Sequence, residues 1–115
     1  MDAIGKLTEN IVNFRDKRDW KQFHNPKDLS LSLVLEATEV MEHFQWKNAE
    51  EIETHIKKNK KEIGDELADV LYWVLLMFHD LDIDVEQATK RKLKINEKKY
   101  PVSKAKGKHK KYTEL

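Results

Sequence analysis

The stretch that most constrains the fold is EIGDELADVLYWVLLMF, which runs from Glu62 to Phe78. Nearly every residue from Val70 to Phe78 is apolar, so a helix of about 3.6 residues per turn leaves no face here for water. We therefore expect this segment to form the buried central helix of the fold.

The first turns of the same segment carry acidic side chains on one face. At about 100° per residue, Glu62, Glu66 and Asp69 project within roughly 60° of one another, and Trp73 follows in the same line. Unpaired carboxylates are costly to strip of water. These acids must therefore be protonated, paired with cations or bound to metal.

Length and composition favour one all-α domain. A chain of 115 residues can bury a core without metal or disulfides, and it contains only three glycines, two prolines and no alternating strand pattern. We predict a bundle of four to five helices at residues 1–101, around the central apolar helix. Residues 102–115 form a basic tail that is expected to be extended or disordered.

Charge and cysteine content indicate the cellular compartment of the protein. The absence of cysteine fits a reducing compartment, and Val70 to Phe78 is too short to span a bilayer. The N-terminus lacks a basic segment followed by an apolar one. We expect a soluble, cytoplasmic protein without a membrane partner, in which acids gather at residues 36–69 and bases at residues 90–111.

Helical periodicity predicts the first two helices. An apolar stripe indicates a first helix over about residues 2–17; its members are Ile4, Leu7, Ile11 and Phe14. Asn25 and Pro26 are typical of a helix start, so a second helix is expected from residue 26 or 28 to about 44.

Capping residues divide the rest of the chain. Asn48 and Glu51 predict a capping box that opens a short helix over about residues 49–56, followed by a solvated lysine-rich turn. The central helix should run from about residue 60 to residues 79–82. Asp84 and Gln87 predict the start of a last helix, which Tyr100 and Pro101 end.

Two of these helices present paired acids beside an apolar surface. Glu36 and Glu39 border the apolar arc of the second helix, and Glu66 and Asp69 lie three residues apart on the central helix. If the helices pack side by side, four carboxylates converge, and hard oxygen ligands favour Mg²⁺ or Mn²⁺ over zinc. Magnesium usually completes its shell with phosphates, so a phosphorylated substrate is implied. A single acidic pair would indicate only a solvated surface.

Neighbouring residues narrow this interpretation. A di-iron bundle requires Glu-x-x-His on two helices, and the residues three positions after Glu36, Glu39 and Glu66 are all acidic. Glu42 is expected to point to solvent. His43 is expected to be a packed or hydrogen-bonded neighbour and not a ligand.

The acid pattern carries a family resemblance. Glu36-x-x-Glu39, followed after a spacer by Glu66-x-x-Asp69, resembles the signature of the MazG-like nucleotide pyrophosphohydrolases, which are all-α enzymes. Four further blocks resemble the dCTP pyrophosphatase branch in the same order: RDWKQFHNPKDL, EATEVMEHFQW, DELADVLYW and KINEKKYP. The resemblance implies house-cleaning hydrolysis of a dCTP-like deoxynucleoside triphosphate to the monophosphate and pyrophosphate.

The resemblance also implies residue roles. The metal ligands would be Glu36, Glu39, Glu66 and Asp69, with Glu39 also orienting or deprotonating the water. The nucleoside pocket would comprise Trp20, Lys21, Gln22, Phe23, His24, Trp46 and Trp73, and the phosphate contacts Lys92, Asn96 and Lys99. The competing structural interpretations are that the aromatic connector plugs the bundle end, that Trp46 caps the core and that the lysines are solvated.

Two further expectations follow from the resemblance. Related animal enzymes carry a base-contacting histidine on the first helix, and the matching position here is Ile11, which puts strict cytosine preference in doubt. The relatives are oligomers, so a homodimer or homotetramer is expected.

The alternative function is a helical interaction module whose basic tail, Lys104 to Lys111, binds nucleic acid non-specifically, although no specific nucleic acid is expected.

Overall fold

The protein is entirely helical, as the sequence predicts. A computed structural model describes residues 1–115. The five α-helices are α1 (Ala3–Asp16), α2 (Pro26–Glu42), α3 (Ala49–Asp80), α4 (Val85–Lys99) and α5 (Val102–Ala105), and 3₁₀ turns occupy Lys21–Phe23 and Tyr112–Glu114. The chain forms two compact units, Met1–Asp82 and Ile83–Leu115. Among these helices, none combines the length and the apolar character that crossing a membrane requires.

Side-chain caps fix where the helices begin. The Asn25 side chain accepts a hydrogen bond from the Asp28 N–H at 2.9 Å, with Pro26 in the first turn of α2. Asn48 and Glu51 form the predicted capping box at the start of α3. These caps supply acceptors for N–H groups that have no partner within the helix, so the predicted starts of α2 and α3 are confirmed.

The predicted turn between the capping box and the central helix is confirmed in its position but not in its length, because only Asn59 leaves helical geometry there. Helix α3 continues for 32 residues through the lysine-rich segment and is interrupted only by a kink at Asn59, whose φ is −122° and ψ is 28°. The Asn59 amide donates to the carbonyl oxygen of His55 at 3.2 Å. A side chain that bonds to the backbone of the preceding turn competes with the helical hydrogen bonds, which accounts for a kink at this residue.

A hydrogen-bonded chain, which we call the histidine clasp, joins α3 to the end of α2. It consists of His43, His55 and Asn59. The Asn59 amide lies 3.1 Å from His55 Nδ1, and His55 Nε2 lies 2.8 Å from His43 Nδ1. Because the Asn59 amide nitrogen also faces a carbonyl oxygen, it must donate to both acceptors, so His55 Nδ1 accepts and His55 Nε2–H donates. The prediction that His43 is a hydrogen-bonded neighbour is confirmed.

The core of the first unit lies where α3 packs against α1 and α2. Leu29 of α2 and Leu75 and Leu76 of α3 are fully buried. Leu67 and Leu71, also on α3, remain exposed. The expectation that the central apolar helix is buried on every side is therefore wrong for the single chain, because only two neighbouring helices of this unit cover it.

A buried ion pair ties the end of α1 to the end of α3. Arg15 is the one fully buried charged side chain, and its Nη1 donates to Asp80 Oδ2 at 2.6 Å. A buried guanidinium needs such a partner, since an unpaired charge in the interior is strongly destabilising. This contact fixes the first helix beside the aromatic residues of α3 that are described below.

The second unit contains α4 and the basic tail. The Asp84 side chain accepts from the Gln87 N–H at 2.8 Å and starts α4, which ends at Lys99 as predicted. The expectation of an extended or disordered tail was wrong for α5 and for the 3₁₀ turn at Tyr112–Glu114. Tyr112 packs edge-on against Tyr100 and lies 4.7 Å from Lys99 Nζ, so aromatic and cation–π contacts order this part of the tail.

Candidate functional site

The two predicted pairs of acids meet between α2 and α3. Glu36 and Glu39 extend from α2, and Glu66 and Asp69 extend from α3. One carboxylate oxygen from each of the four residues lies within 4.8 Å of the others. We call these four residues the acid cluster. The i, i+3 spacing on both helices accounts for this convergence, since it places both members of a pair on the face that the helices share.

Mutual repulsion shows in the pKa values of the acid cluster. Hydrogen bonding to Glu39, together with desolvation and the surrounding negative charges, raises the pKa of Glu66 to about 7. Desolvation, followed by the same neighbour Glu39, raises the pKa of Glu36, and a contact with the Trp73 side chain opposes that shift. Glu39 and Asp69 both raise the two perturbed pKa values, and Glu39 is the one that is also hydrogen-bonded to both carboxyl groups.

Two oxygens of the acid cluster are buried without a protein partner. They are Glu36 Oε2 and Glu66 Oε2. A buried carboxylate oxygen without a donor is costly, and no lysine or arginine forms a salt bridge with the acid cluster. Four oxygen donors that lack sulfur or imidazole partners fit Mg²⁺ or Mn²⁺, which bind oxygen ligands. The residues present therefore fit a divalent metal.

An aromatic cavity of about 460 Å³ opens beside the acid cluster. Its walls come from α1, the connector after α1, α2 and α3, and the lining residues are Leu7, Asn10, Ile11, Phe14, Trp20, Glu36, Asp69, Tyr72 and Trp73. Trp73 packs edge-on against Tyr72, with ring centroids 5.0 Å apart. Since Glu36 and Asp69 belong to both the cavity wall and the acid cluster, the two features form one continuous site.

The other predicted pocket residues of the connector do not line this cavity. His24 packs edge-on against Trp73 with ring centroids 5.5 Å apart, and its Nδ1 is buried without a partner. Lys21 and His24 line a second cavity of about 340 Å³. Gln22 bonds to Asp19, and Phe23 is 66% exposed. Trp20 and Trp73 thus line the aromatic cavity, whereas residues 21–24 lie behind it or outside it.

Trp46 and the predicted phosphate contacts are not part of the aromatic cavity. Trp46 follows α2 with a left-handed φ of 69°, and its side chain is 91% exposed. Lys92, Asn96 and Lys99 lie on α4 in the second unit, where the Asn96 carbonyl oxygen accepts the Tyr100 N–H at 2.8 Å. For these residues the sequence-based roles stay predictions.

Sequence reasoning missed part of the cavity wall. The sequence pattern does not identify Tyr72 or Asn10 as residues of the cavity wall. For Phe14 and Leu7 it indicates only an apolar stripe on the first helix. The stripe itself was the available signal, because an amphipathic helix that faces an aromatic cavity lines it with the same residues that pack against the core. Asn10 lies on that face, between Leu7 and Phe14.

The comparisons with known proteins agree with this geometry. Residues 31–115 match the MazG-like family. The chain is 38% identical over 106 residues to dCTP pyrophosphatase 1 of Mus musculus and 36% identical to that of Homo sapiens, in each case over 90% of this chain. The chain spans 62% of the length of these two relatives.

A solved structure shows the same fold. The crystal structure of a pyrophosphatase from Archaeoglobus fulgidus superposes with a TM-score of 0.82 at 35% sequence identity. The match covers 88% of this chain and 94% of the archaeal chain. The all-α architecture, the acid pattern and the match over residues 31–115 agree, and the chain belongs to the MazG-like family.

Proposed function

We propose that the protein is a metal-dependent pyrophosphohydrolase that cleaves deoxynucleoside triphosphates between the α and β phosphates. The products are the monophosphate and pyrophosphate. The observation that supports this most directly is the continuity of the acid cluster with an aromatic cavity through Glu36 and Asp69. Relatives that are named dCTP pyrophosphatase or pyrophosphatase favour the same reaction.

The acid cluster would hold the metal. Glu36, Glu39, Glu66 and Asp69 offer four oxygen ligands, and Mg²⁺ is the proposed ion, with Mn²⁺ as a substitute. When it is bound, the ion supplies charge neutralisation and Lewis acidity at the phosphate oxygens. The paired carboxylates would hold the ion between α2 and α3, next to the cavity that would take the nucleoside.

Glu39 is the proposed base. It neighbours both Glu36 and Glu66 and is more exposed than either of them, so it faces both the metal ligands and water. A carboxylate in this position can accept the proton of the attacking water while it also contributes to metal binding. The leaving group is pyrophosphate, whose charge a metal held by the acid cluster would offset.

The cavity would bind the nucleoside. Trp20 and Trp73 present indole faces on which a base can stack, and His24 supports Trp73 from the side. Lys21, Gln22 and Phe23 would border the entrance. Lys92, Asn96 and Lys99 are proposed to contact phosphates, and their i, i+4, i+7 spacing supports a shared face on α4.

Exposed apolar surfaces favour a homodimer or homotetramer. Leu31, Val34, Leu35 and Met41 repeat along one face of α2 and are all more than half exposed. Leu67 and Leu71 add an exposed apolar strip on α3. Such a surface is large for a monomer of 115 residues, and a second copy would bury it. In that assembly the exposed Trp46 indole would reach a substrate or a neighbouring chain.

Sedimentation at micromolar concentration tests the assembly. We expect a dimer or tetramer for the wild type and dissociation for Leu35→Glu, which places a charge on the 63% exposed position. Glu9→Lys, at an exposed position of α1 on the side opposite Leu7, is the control for a change of charge and should leave the mass unchanged. A wild-type monomer would exclude the proposed assembly.

The reaction is tested by measuring pyrophosphate release from a panel of deoxynucleoside and ribonucleoside triphosphates, with Mg²⁺, with Mn²⁺ and with chelator. We expect turnover of dCTP or a related pyrimidine nucleotide that requires the metal. Release of orthophosphate in place of pyrophosphate would contradict the α–β cleavage. If no member of the panel is hydrolysed, the proposed activity is wrong.

A further inference from the structure

Asn10 is the one carboxamide in the wall of the aromatic cavity. Its neighbours there are aromatic, aliphatic or acidic, namely Leu7, Ile11, Phe14, Trp20, Glu36, Asp69, Tyr72 and Trp73. Carboxylates only accept hydrogen bonds and indoles only donate them, whereas a carboxamide does both. The Tyr72 hydroxyl also has both capacities, but it is buried without a partner and closed to solvent. Asn10 therefore offers the accessible donor and acceptor pair of this cavity.

The position of Asn10 on α1 is also unusual for its residue type. Leu7, Asn10, Ile11 and Phe14 share one helical face by their spacing, and the other three are apolar. An asparagine on such a face contributes no apolar packing and has a low helix propensity. In the free protein water satisfies the exposed amide, but a bound base would displace that water and leave the amide in need of a new partner.

We propose that Asn10 hydrogen-bonds the polar edge of the nucleobase, so that efficient turnover requires a base with such an edge. This inference rests on the proposed function. A base that stacks on Trp73 or Trp20 must bury an edge on which donors and acceptors lie side by side. The Asn10 carboxamide matches such an edge. It can also turn by 180°, which exchanges its donor and acceptor and lets it pair with cytosine or thymine.

This assignment makes Asn10 the residue that holds the polar edge of the base, with relaxed choice between cytosine and thymine. Cytosine presents a donor beside an acceptor, and thymine presents the opposite order. The wild type should therefore hydrolyse dCTP and dTTP with kcat/KM values within about 10-fold of each other, since the same carboxamide serves both edges.

The test compares dCTP and dTTP with the triphosphate of the difluorotoluene deoxynucleoside, which has the shape of thymidine but lacks a strong hydrogen-bonding edge. Asn10→Leu should lower kcat/KM for both natural substrates by about 10- to 100-fold, because a buried base edge is left unpaired. The same substitution should change kcat/KM for the analogue by less than about 3-fold. Asn13→Leu, on the same helix but outside the cavity wall, is the matched control.

Three results would overturn the proposal. Equal losses on the natural substrates and the analogue would show that Asn10 acts through shape or packing. Unchanged kinetics of Asn10→Leu would remove Asn10 from base contact, and a strong preference of the wild type for one pyrimidine would contradict the rotating carboxamide. Affinities of the corresponding α,β-methylene triphosphates provide the same ratios without turnover. A wild type that binds these analogues but hydrolyses no triphosphate would instead count against the proposed function.

Discussion

The acid cluster and the histidine clasp both join α2 to α3, and they solve the problem of buried polar groups in opposite ways. In the histidine clasp, Asn59, His55 and His43 satisfy one another through a directional chain of hydrogen bonds. In the acid cluster, four acceptors face one another, and two of their oxygens have no donor. Along one interface, the self-sufficient contact is structural, whereas the unsatisfied contact requires a ligand.

The largest expected difference between the two regions is in turnover. Glu39→Gln removes a negative ligand from the acid cluster and should lower kcat by about 100-fold or more. His55→Phe should change kcat by less than about 3-fold, since the histidine clasp does not contact the metal in this interpretation. Steady-state pyrophosphate release measures both variants, and Glu42→Gln, which is exposed on α2, is the control for loss of charge. Equal activity of Glu39→Gln and wild type would remove the proposed role of Glu39.

The next effect concerns the pH dependence of metal activation. The pKa of Glu66 is raised to about 7, so a proton competes with the metal in the neutral range. The Mg²⁺ concentration for half-maximal activity should therefore increase as the pH falls from 8 to 6, approaching about 10-fold for each pH unit once Glu66 is mainly protonated. In His55→Phe the same increase should persist. A half-maximal Mg²⁺ concentration that does not change with pH would show that protonation of Glu66 does not compete with metal binding.

Stability should reveal the repulsion within the metal-free acid cluster. A carboxyl group whose folded pKa is raised stabilises the fold below its unfolded pKa of 4.5 and loses that contribution as the pH rises through about 7. Without metal, Glu66→Gln should therefore melt higher than wild type at pH 8 and close to wild type at pH 4. Calorimetric unfolding in chelator measures the difference, and added Mg²⁺ should reverse its sign at pH 8. A metal-free variant that is less stable at pH 8 would contradict the repulsion.

The contribution of the histidine clasp to stability should depend on pH in the opposite direction and to a smaller extent. Desolvation, Lys47 and His43 lower the pKa of His55, while Glu62 opposes the shift. A histidine with a lowered folded pKa contributes stability above its unfolded pKa of 6.5 and loses it as the pH falls through the folded value. His55→Phe should therefore destabilise the protein more at pH 8 than at pH 5. If His55→Phe destabilises the protein more at pH 5 than at pH 8, the assigned direction of the hydrogen bonds in the histidine clasp is wrong.

The features that the sequence could predict depend on local chemistry. Caps at Asn25, Asn48 and Asp84 are formed within three or four residues, so their sequence patterns were sufficient. The convergence of the acid cluster was also predictable, because two pairs at i, i+3 spacing border apolar surfaces that must pack together.

The features that the sequence could not predict depend on contacts between distant residues. Ile52, Ile56 and Ile63 fall on one helical face, but the lysines between them fit a turn equally well, so the local pattern did not show that only Asn59 leaves helical geometry. The contact of His43 with His55 needs the path of both helices. The same holds for Trp46, since its place after α2 does not show whether it reaches the cavity, and the structure leaves it 91% exposed.

The most direct measurement is anomalous X-ray scattering from crystals of the protein soaked in Mn²⁺. We expect one or more ions between α2 and α3, each within about 2.5 Å of oxygens from Glu36, Glu39, Glu66 or Asp69. The same crystals of Glu39→Gln should show weaker occupancy. Ions bound only elsewhere, with the four carboxylates separated and hydrated, would contradict the assignment of the acid cluster as the metal site.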